Sequence, residues 1–162
     1  MAMMNLCSLV ALGLAVTCGH GQRSTGFKII DVKQFNKQYQ VLEDGNWYRS
    51  LPEVTQLCKQ RGASVVQPKS RPEVDIIDKH IHRAFGFYIG VQTSSESVPT
   101  KYADGTTIKW FDWFSKYRRP ETSDCVGMYI VAQSGYRKMD TMKCDSKVAP
   151  MAVVCEKTLS EV

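Results

Sequence analysis

Basic side chains gather in two stretches in the second half of the sequence. Residues 116–119 read Lys-Tyr-Arg-Arg, and Arg137, Lys138 and Lys143 follow about twenty residues later. A guanidinium group donates paired hydrogen bonds to carboxylate, sulfate or phosphate, and it also stacks on aromatic rings such as that of Trp113. The stretches therefore predict a site for an anionic ligand: an acidic glycan, a lipid headgroup or an acidic protein surface. A solvated basic loop without a ligand is the alternative that the residues leave open.

Catalytic groups do not combine into a recognisable site. His80 and His82 stand two residues apart, so on a helix they point to different sides. Asp78 and His82 are four apart and are interpreted as a pair on a solvated helix face. The sequence contains no nucleophile elbow, phosphate-binding loop or zinc-protease motif. It therefore predicts a binding protein that is not an enzyme and that uses no cofactor.

The start of the chain has the composition of a secretory signal. Residues 6–18 form an apolar run, and the small residues Gly19 and Gly21 follow it. No Lys or Arg precedes the run. A membrane anchor is the alternative, but a spanning helix needs about 20 apolar residues. We expect residues 1–21 to be removed and the protein to be secreted into the extracellular space.

Four cysteines remain after that cleavage: Cys58, Cys125, Cys144 and Cys155. An even number in a secreted chain predicts disulfides, and the residues alone leave three connectivities open. No Cys-x-x-Cys pair suggests zinc. The net charge of +5 permits anionic partners without requiring them.

Two helices and several strands are predicted. Ser50 with Glu53, and Ser70 with Glu73, have capping-box spacing, which predicts helices that end near Gly62 and Gly86. Residues 22–37 are mixed and polar and are interpreted as a flexible leader. Strands are predicted within residues 38–47, 63–66, 87–91, 107–114, 125–131, 136–142 and 150–155. Helices before strands indicate an α+β domain.

In this order the markers resemble a C-type lectin-like domain from about Tyr39 to Lys157. Phe-Tyr-Ile-Gly-Val at residues 87–91 is similar to the family's Trp-Ile-Gly-Leu core strand, with Tyr88 in place of the Trp. The remaining markers are Trp47, Cys58, Gly62-Ala63, Asp104-Gly105, Trp110, Trp113, Asp124-Cys125-Val126 and the closing Ala152-Val153-Val154-Cys155-Glu156-Lys157.

The resemblance implies a C-type lectin-like fold: two helices, short antiparallel strands and a long loop, stapled by two disulfides. It pairs Cys58 with Cys155 and Cys125 with Cys144. It places the domain at residues 38–158, with a tail at 159–162. Trp110 and Trp113 are expected to anchor the core and the loop rather than to stack on a sugar.

The resemblance also locates the family's sugar-binding calcium site, where this sequence departs from the pattern. The loop motif at residues 119–121 reads Arg-Pro-Glu, Ser123 replaces an acid, and the triplet at 139–141 reads Met-Asp-Thr. Calcium needs six to eight oxygens, and Arg119 offers no acceptor. Calcium is therefore not expected at this site, although Glu121, Asp124 and Asp140 remain weak metal candidates.

The sequence thus predicts a secreted recognition module that binds a carbohydrate or another anionic ligand without calcium. The alternative is a protein-interaction or structural extracellular domain on the same fold. The expected partner is a glycan, acidic glycans included, or an extracellular protein, with neither nucleic acid nor a membrane span involved. The candidate ligand-binding residues are Lys116, Tyr117, Arg118, Arg119, Glu121, Arg137, Lys138 and Asp140.

Overall fold

A computed structural model describes most of the chain after residue 25. It covers residues 26–42, 44–81, 84–91, 101–110, 113, 124–130, 137–145, 147 and 149–159, without the side chains of Asp124 and Ile130. Within these residues, no helix is long and apolar enough to cross a membrane. The predicted signal at residues 1–21 and the residues after 159 lie outside this part.

The described residues form two α-helices, a short 3-10 helix at Lys33–Phe35 and one mixed sheet. The helices are α1 (Leu51–Gln60) and α2 (Arg71–Asp78). The strands are β1 (Phe27–Val32), β2 (Lys37–Leu42), β3 (Ser64–Val65), β4 (Gly86–Ile89), β5 (Asp124–Ile130), β6 (Arg137–Lys143) and β7 (Met151–Thr158). Their order in the sheet is β1-β2-β7-β4-β5-β6, and β3 also pairs with β7. The β4–β7 pair is parallel and all other pairs are antiparallel. The predicted α+β fold is confirmed.

The sheet separates two apolar layers. Val74 and Ile77 of α2 join the cluster on one face, and Val54 and Cys58 of α1 join the cluster on the other. Adjacent residues on a strand point to opposite faces, so Val41 enters the first layer and Leu42 the second. The fold is therefore one helix on each face of a central sheet.

Two disulfides join distant parts of this sheet. Cys58 on α1 is bonded to Cys155 on β7, across a sequence separation of 97, and both residues are fully buried. Cys125 on β5 is bonded to Cys144, just after β6, across a separation of 19. These are the pairs that the resemblance implies. The first bridge joins α1 to β7, and the second joins the start of β5 to the end of the neighbouring strand β6.

The two helix starts use their glutamates differently. At α1 the predicted capping box is present, and the Ser50 backbone N–H donates to Glu53 Oε2 at 2.8 Å. At α2 the Glu73 residue is 3 % exposed, and its side chain accepts the Lys69 backbone N–H at 3.1 Å. The helix also ends at Asp78 instead of continuing toward Gly86. The second motif therefore marks the helix start but directs its carboxylate into the interior.

Residues 27–37, which belong to the predicted flexible leader at 22–37, have regular structure instead. Phe27–Val32 forms β1, which pairs antiparallel with β2 from Phe27–Leu42 to Val32–Lys37. The segment alternates imperfectly between apolar and polar residues, and Val32 is buried while Ile30 packs on the core. The strand is stabilised by pairing with β2, which local composition does not reveal.

The aromatic segment 107–114 also differs from its predicted strand. Among its described residues, 107–110 and 113, the pairing consists of isolated bridges from Thr107 to Lys101 and from Trp113 to Met139. Trp110 and Trp113 pack against the first apolar layer. The apolar residues that suggested a strand therefore anchor an irregular segment to the core.

The capping box should make α1 sensitive to acid. Hydrogen bonds from Lys147 and from Ser50 lower the pKa of Glu53 to about 2. A carboxyl whose pKa is lower in the folded state contributes stability above its unfolded pKa, and this contribution is lost as pH falls. Between about pH 4.5 and 2 the parent should lose melting temperature faster than Glu53→Gln, in thermal melts followed by circular dichroism. Parallel pH profiles for the two proteins would contradict this role.

Candidate functional site

Strand β6 carries every described residue of the predicted ligand-binding set. From Arg137 to Thr141 its residues alternate between buried and half-buried. Arg137, Met139 and Thr141 lie on the buried side, and Lys138 and Asp140 lie on the other. The strand therefore divides the predicted basic residues between two faces of the sheet.

Arg137 does not belong to an exposed basic surface. The residue is 2 % exposed, and its Nε donates to Asp78 at the end of α2. Its Nη1 donates to the Phe85 carbonyl at 2.7 Å, and its Nη2 to the Ala84 carbonyl at 3.4 Å. The guanidinium thus ties β6 to α2 and to the start of β4, so it is not available to a ligand at the surface. Arg137 is two residues before the apolar Met139, so both side chains point to the same face of the strand. This spacing is the sequence signal that could have predicted the burial of Arg137.

Lys138 and Asp140 are half-buried on the opposite face. In the β5–β6 register, Lys138 pairs with Tyr129 and Asp140 pairs with Gly127. Opposite residues on antiparallel strands point to the same face, with Cβ atoms about 4.5–5.5 Å apart. An ammonium, a carboxylate and a phenol ring therefore share one face at this hairpin.

The remaining candidates fall outside the described residues. Lys116, Tyr117, Arg118, Arg119 and Glu121 are among them. The backbone of Asp124 begins β5 and pairs with Lys143, which is exposed. The structure therefore describes the β6 side of the predicted site, and the predicted loop side stays a prediction.

The triplet at residues 139–141 is the part of the predicted calcium site whose side chains the structure describes. Met139 and Thr141 are buried, and the Thr141 hydroxyl has no hydrogen-bond partner among the described residues. One oxygen of Asp140 accepts the Thr141 backbone N–H at 2.8 Å. Within the described ranges, no three His, Cys, Asp or Glu side chains cluster in a way that could hold a metal ion. Of the oxygen ligands that calcium takes, the triplet supplies one carboxylate, that of Asp140.

A second polar cluster, which the sequence did not suggest, lies between β2, α2 and β7. Lys37 Nζ donates to Glu73 Oε2 at 2.8 Å, to Glu156 Oε2 at 3.1 Å and to the Gln67 carbonyl at 2.9 Å. The buried Tyr39 hydroxyl donates to Glu73 at 2.7 Å. Glu73 and Glu156 follow Lys37 by 36 and 119 residues in the sequence, so no local pattern predicts that the three meet.

The electrostatics of this cluster reflect its burial. Burial raises the pKa of Glu156, and the adjacent Lys37 ammonium opposes that rise. Burial and the Glu73 carboxylate raise the pKa of Tyr39 far above its usual value, so the phenol stays protonated and donates its hydrogen bond. The donors and acceptors of this cluster bond to one another, so we interpret its role as stabilising the fold.

The turn around Asp104 is also fixed by polar contacts. Lys69 donates to Asp104 at 3.0 Å and to Thr106 at 2.6 Å, and its ammonium lies 3.5 Å from the centre of the Tyr102 ring. Partial burial acts to raise the pKa of Asp104, but hydrogen bonds from Thr106 and Lys69 hold it below its usual value. Gly105 has φ of 84°, a left-handed conformation that favours glycine. The turn that was interpreted as the entry to a long loop is therefore firmly held.

The described architecture is a central sheet with one helix on each face, two disulfides and a long sequence segment between β4 and β5. The sequence model of the Lectin C-type domain family matches residues 48–157. The chain belongs to this family, whose members are non-enzymatic binding modules.

Individual known proteins are similar to this chain in sequence or in fold. The chain is 26 % identical over 119 residues to C-type lectin 37Db of Drosophila melanogaster, covering 70 % of this chain and 74 % of the relative. Its fold is similar to the C-type lectin domain of murine dendritic cell inhibitory receptor 2, which was solved in complex with N-glycan. That match has a TM-score of 0.65 and 18 % identity, over 80 % of this chain and 95 % of the other. It is also similar to SPL-2 from Saxidomus purpuratus, a Ca²⁺-independent C-type lectin, with a TM-score of 0.60 and 16 % identity over 85 % and 94 % of the two chains.

Proposed function

We propose that this protein is a secreted carbohydrate-recognition module that binds its glycan without calcium. The observation that carries the proposal is the Met139-Asp140-Thr141 triplet in a chain of the Lectin C-type domain family. A calcium site there would need several carboxylates, and the triplet holds one. The N-glycan complex of the murine receptor domain and the calcium independence of SPL-2 support the two parts of the proposal.

Secretion is supported by two features. The apolar run at residues 6–18 is of signal-peptide length. Two disulfides within one small domain are typical of proteins that fold in an oxidising compartment.

Basic residues other than Arg137, which is buried, support a proposal for the ligand class. Lys143 is exposed at the end of β6, and residues 116–119 add three cations from the sequence. Sulfate and carboxylate groups on sugars are the anions that such cations bind. We therefore propose that acidic glycans are among the ligands.

A glycan array probed with the secreted protein, in calcium and in EDTA, tests the proposed function. Binding that is equal in both buffers is the expected result, and binding to acidic glycans should weaken with salt because exposed charges are screened. Loss of binding in EDTA would overturn calcium independence. No binding in either buffer would overturn sugar recognition and favour a protein ligand.

Replacing both loop arginines should remove the acidic-glycan component. Arg118→Ala with Arg119→Ala deletes two charge-assisted contacts, each worth at least about tenfold in affinity, so we expect a loss of about a hundredfold. Lys28→Ala with Lys59→Ala, which changes two exposed cations on β1 and α1, is the matched control. Equal titration curves for the two double variants on a sulfated glycan would contradict a role for the loop.

A further inference from the structure

The ring of Tyr129 lies on the sheet over two glycines. A Cβ atom at Gly127 would come within 3.1 Å of the ring's Cε2, and one at Gly86 within 3.2 Å of its Cδ1. Gly86 pairs with Tyr129 across β4 and β5, and Gly127 lies two residues before it on the same face. The absence of side chains at both positions lets the ring lie along the backbone.

Two neighbours hold the ring at this place. The Tyr129 hydroxyl contacts the sulfur of Met142 on β6. The Phe85 ring, whose residue is 44 % exposed, stands 5.4 Å from the Tyr129 ring centre at an interplanar angle of 53°. Phe85 therefore borders the ring as a second aromatic surface that is open to solvent.

A donor and an acceptor flank the ring on β6. Lys138 is directly opposite Tyr129, and Asp140 is directly opposite Gly127, so both share the face on which the ring lies. Both residues are half-buried. The arrangement is an aromatic ring with an ammonium and a carboxylate beside it.

We propose that Tyr129, Lys138 and Asp140, bordered by Phe85, form a subsite for a neutral pyranose of the glycan. One side of a pyranose presents C–H groups with slight positive charge, which pack on the negative face of an aromatic ring. The outward hydroxyls of the sugar need donors and acceptors, because a polar group that loses water without a new partner weakens binding. The Lys138 ammonium donates and the Asp140 carboxylate accepts.

The charges on this face favour a neutral sugar over an acidic one. Lys138 and Asp140 together carry no net charge, so an anionic sugar gains little from the pair and approaches a carboxylate. A neutral hydroxyl pair can use both groups at once. The subsite rests on the proposed function and deepens it, because it names a class of sugar that the protein would bind. It requires no contribution from the arginines of residues 116–119.

The experiment is saturation-transfer difference NMR on the full secreted protein in EDTA, with methyl glycosides of neutral hexoses and N-acetylhexosamines as probes. We expect saturation to reach the C–H protons of one sugar face. Tyr129→Leu should weaken binding about tenfold, and Tyr129→Phe, which keeps the ring, should bind like the parent. Phe27→Leu, on the opposite edge strand, is the control for loss of a half-buried aromatic residue.

Near-isosteric variants keep the test valid if Tyr129→Leu does not fold. Asp140→Asn and Lys138→Gln change the flanking charges with little change in volume, and each should weaken binding severalfold. Gly127→Ala keeps the ring but displaces it, so it should also weaken binding.

The outcomes separate the subsite from the proposed function. Neutral-sugar binding that survives Tyr129→Leu, Asp140→Asn and Lys138→Gln would overturn the subsite, and the proposed function would stand. Binding that is lost in these variants but kept in Arg118→Ala with Arg119→Ala would support the subsite. A parent protein that binds acidic but no neutral glycosides would overturn the subsite alone, and one that binds no saccharide would overturn both.

Discussion

Removal of the Cys58–Cys155 bridge should lower the free energy of unfolding by about 4–5 kcal/mol, because the bridge closes a loop of about a hundred residues. Both cysteines are fully buried, so serine would also place a hydroxyl in an apolar layer. For a domain of this size the melting temperature should fall by roughly 10–20 °C. The measurement is a thermal melt of Cys58→Ser with Cys155→Ser, which leaves no unpaired thiol.

The matched control is Cys125→Ser with Cys144→Ser. This bridge closes a loop of 19 residues, so its removal should cost about 3 kcal/mol, less than the outer bridge. Equal melting temperatures for the outer-bridge variant and the parent, or a larger loss from the inner bridge, would contradict the roles assigned to the two disulfides.

Replacing Lys37 with Met should destabilise the fold by about 3–5 kcal/mol, since removing one partner of a buried ion pair leaves the other charge without compensation. The side chains of Lys37, Glu73 and Glu156 are 14 %, 4 % and 9 % exposed. Met has a similar length, so packing is largely kept while the cation is lost. Urea unfolding of the variant and the parent at neutral pH measures the difference.

The loss in Lys37→Met should depend on pH with a definite sign. Burial already raises the pKa of Glu156, and loss of the Lys37 cation removes an influence that lowers it. A group whose folded pKa is raised contributes stability below its unfolded pKa, about 4.3 for Glu, and loses that contribution as pH rises through the folded pKa. The deficit of the variant should therefore be smallest near pH 4 and largest above pH 7.

Two further variants check this interpretation. Adding Glu156→Gln to Lys37→Met should recover part of the lost stability at neutral pH, because it removes a buried charge. Lys28→Met, at an exposed position of the neighbouring strand, should change stability by less than about 0.5 kcal/mol. A deficit of the same size at every pH would show that Lys37 acts through packing alone.

The elements that the sequence predicts well are those with local signals. The Ser-x-x-Glu spacings locate the starts of α1 and α2, because a helix start depends on groups within one turn. The strands β4, β5 and β7 follow from short apolar runs. The pairing of Cys58 with Cys155 came from the family resemblance, since spacing alone allowed three connectivities.

The elements that it misses depend on contacts across the chain. β1 is stabilised by pairing with β2, and Glu73 turns inward because Lys37 and Tyr39 lie there. At the candidate site, Arg137 looked like a surface cation because its neighbours are Lys138 and Tyr136. Its burial depends on Asp78, 59 residues earlier, and on the carbonyls of Ala84 and Phe85. No local sequence pattern predicts these contacts.

The two glycines beside the Tyr129 ring are a further feature that the sequence analysis missed. Gly86 and Gly127 belong to different strands, and each alone reads as an ordinary glycine in a β segment. Their effect on Tyr129 arises only when β4 and β5 are in register. Residues that act by having no side chain are found from the structure rather than from motif searches.

The central position of β7 has a consequence for how the protein folds in a cell. Among the described strands β7 comes last in the sequence, yet it pairs with β2, β3 and β4, so much of the sheet cannot form until residues 151–158 have been made. At about 5–20 residues per second, Cys58 waits roughly 5–20 s for Cys155 to be made. During that interval its thiol can react with Cys125 and Cys144, which emerge earlier. Correct oxidation should therefore depend on disulfide isomerisation after synthesis, and yield should fall more than stability when isomerase activity is limited.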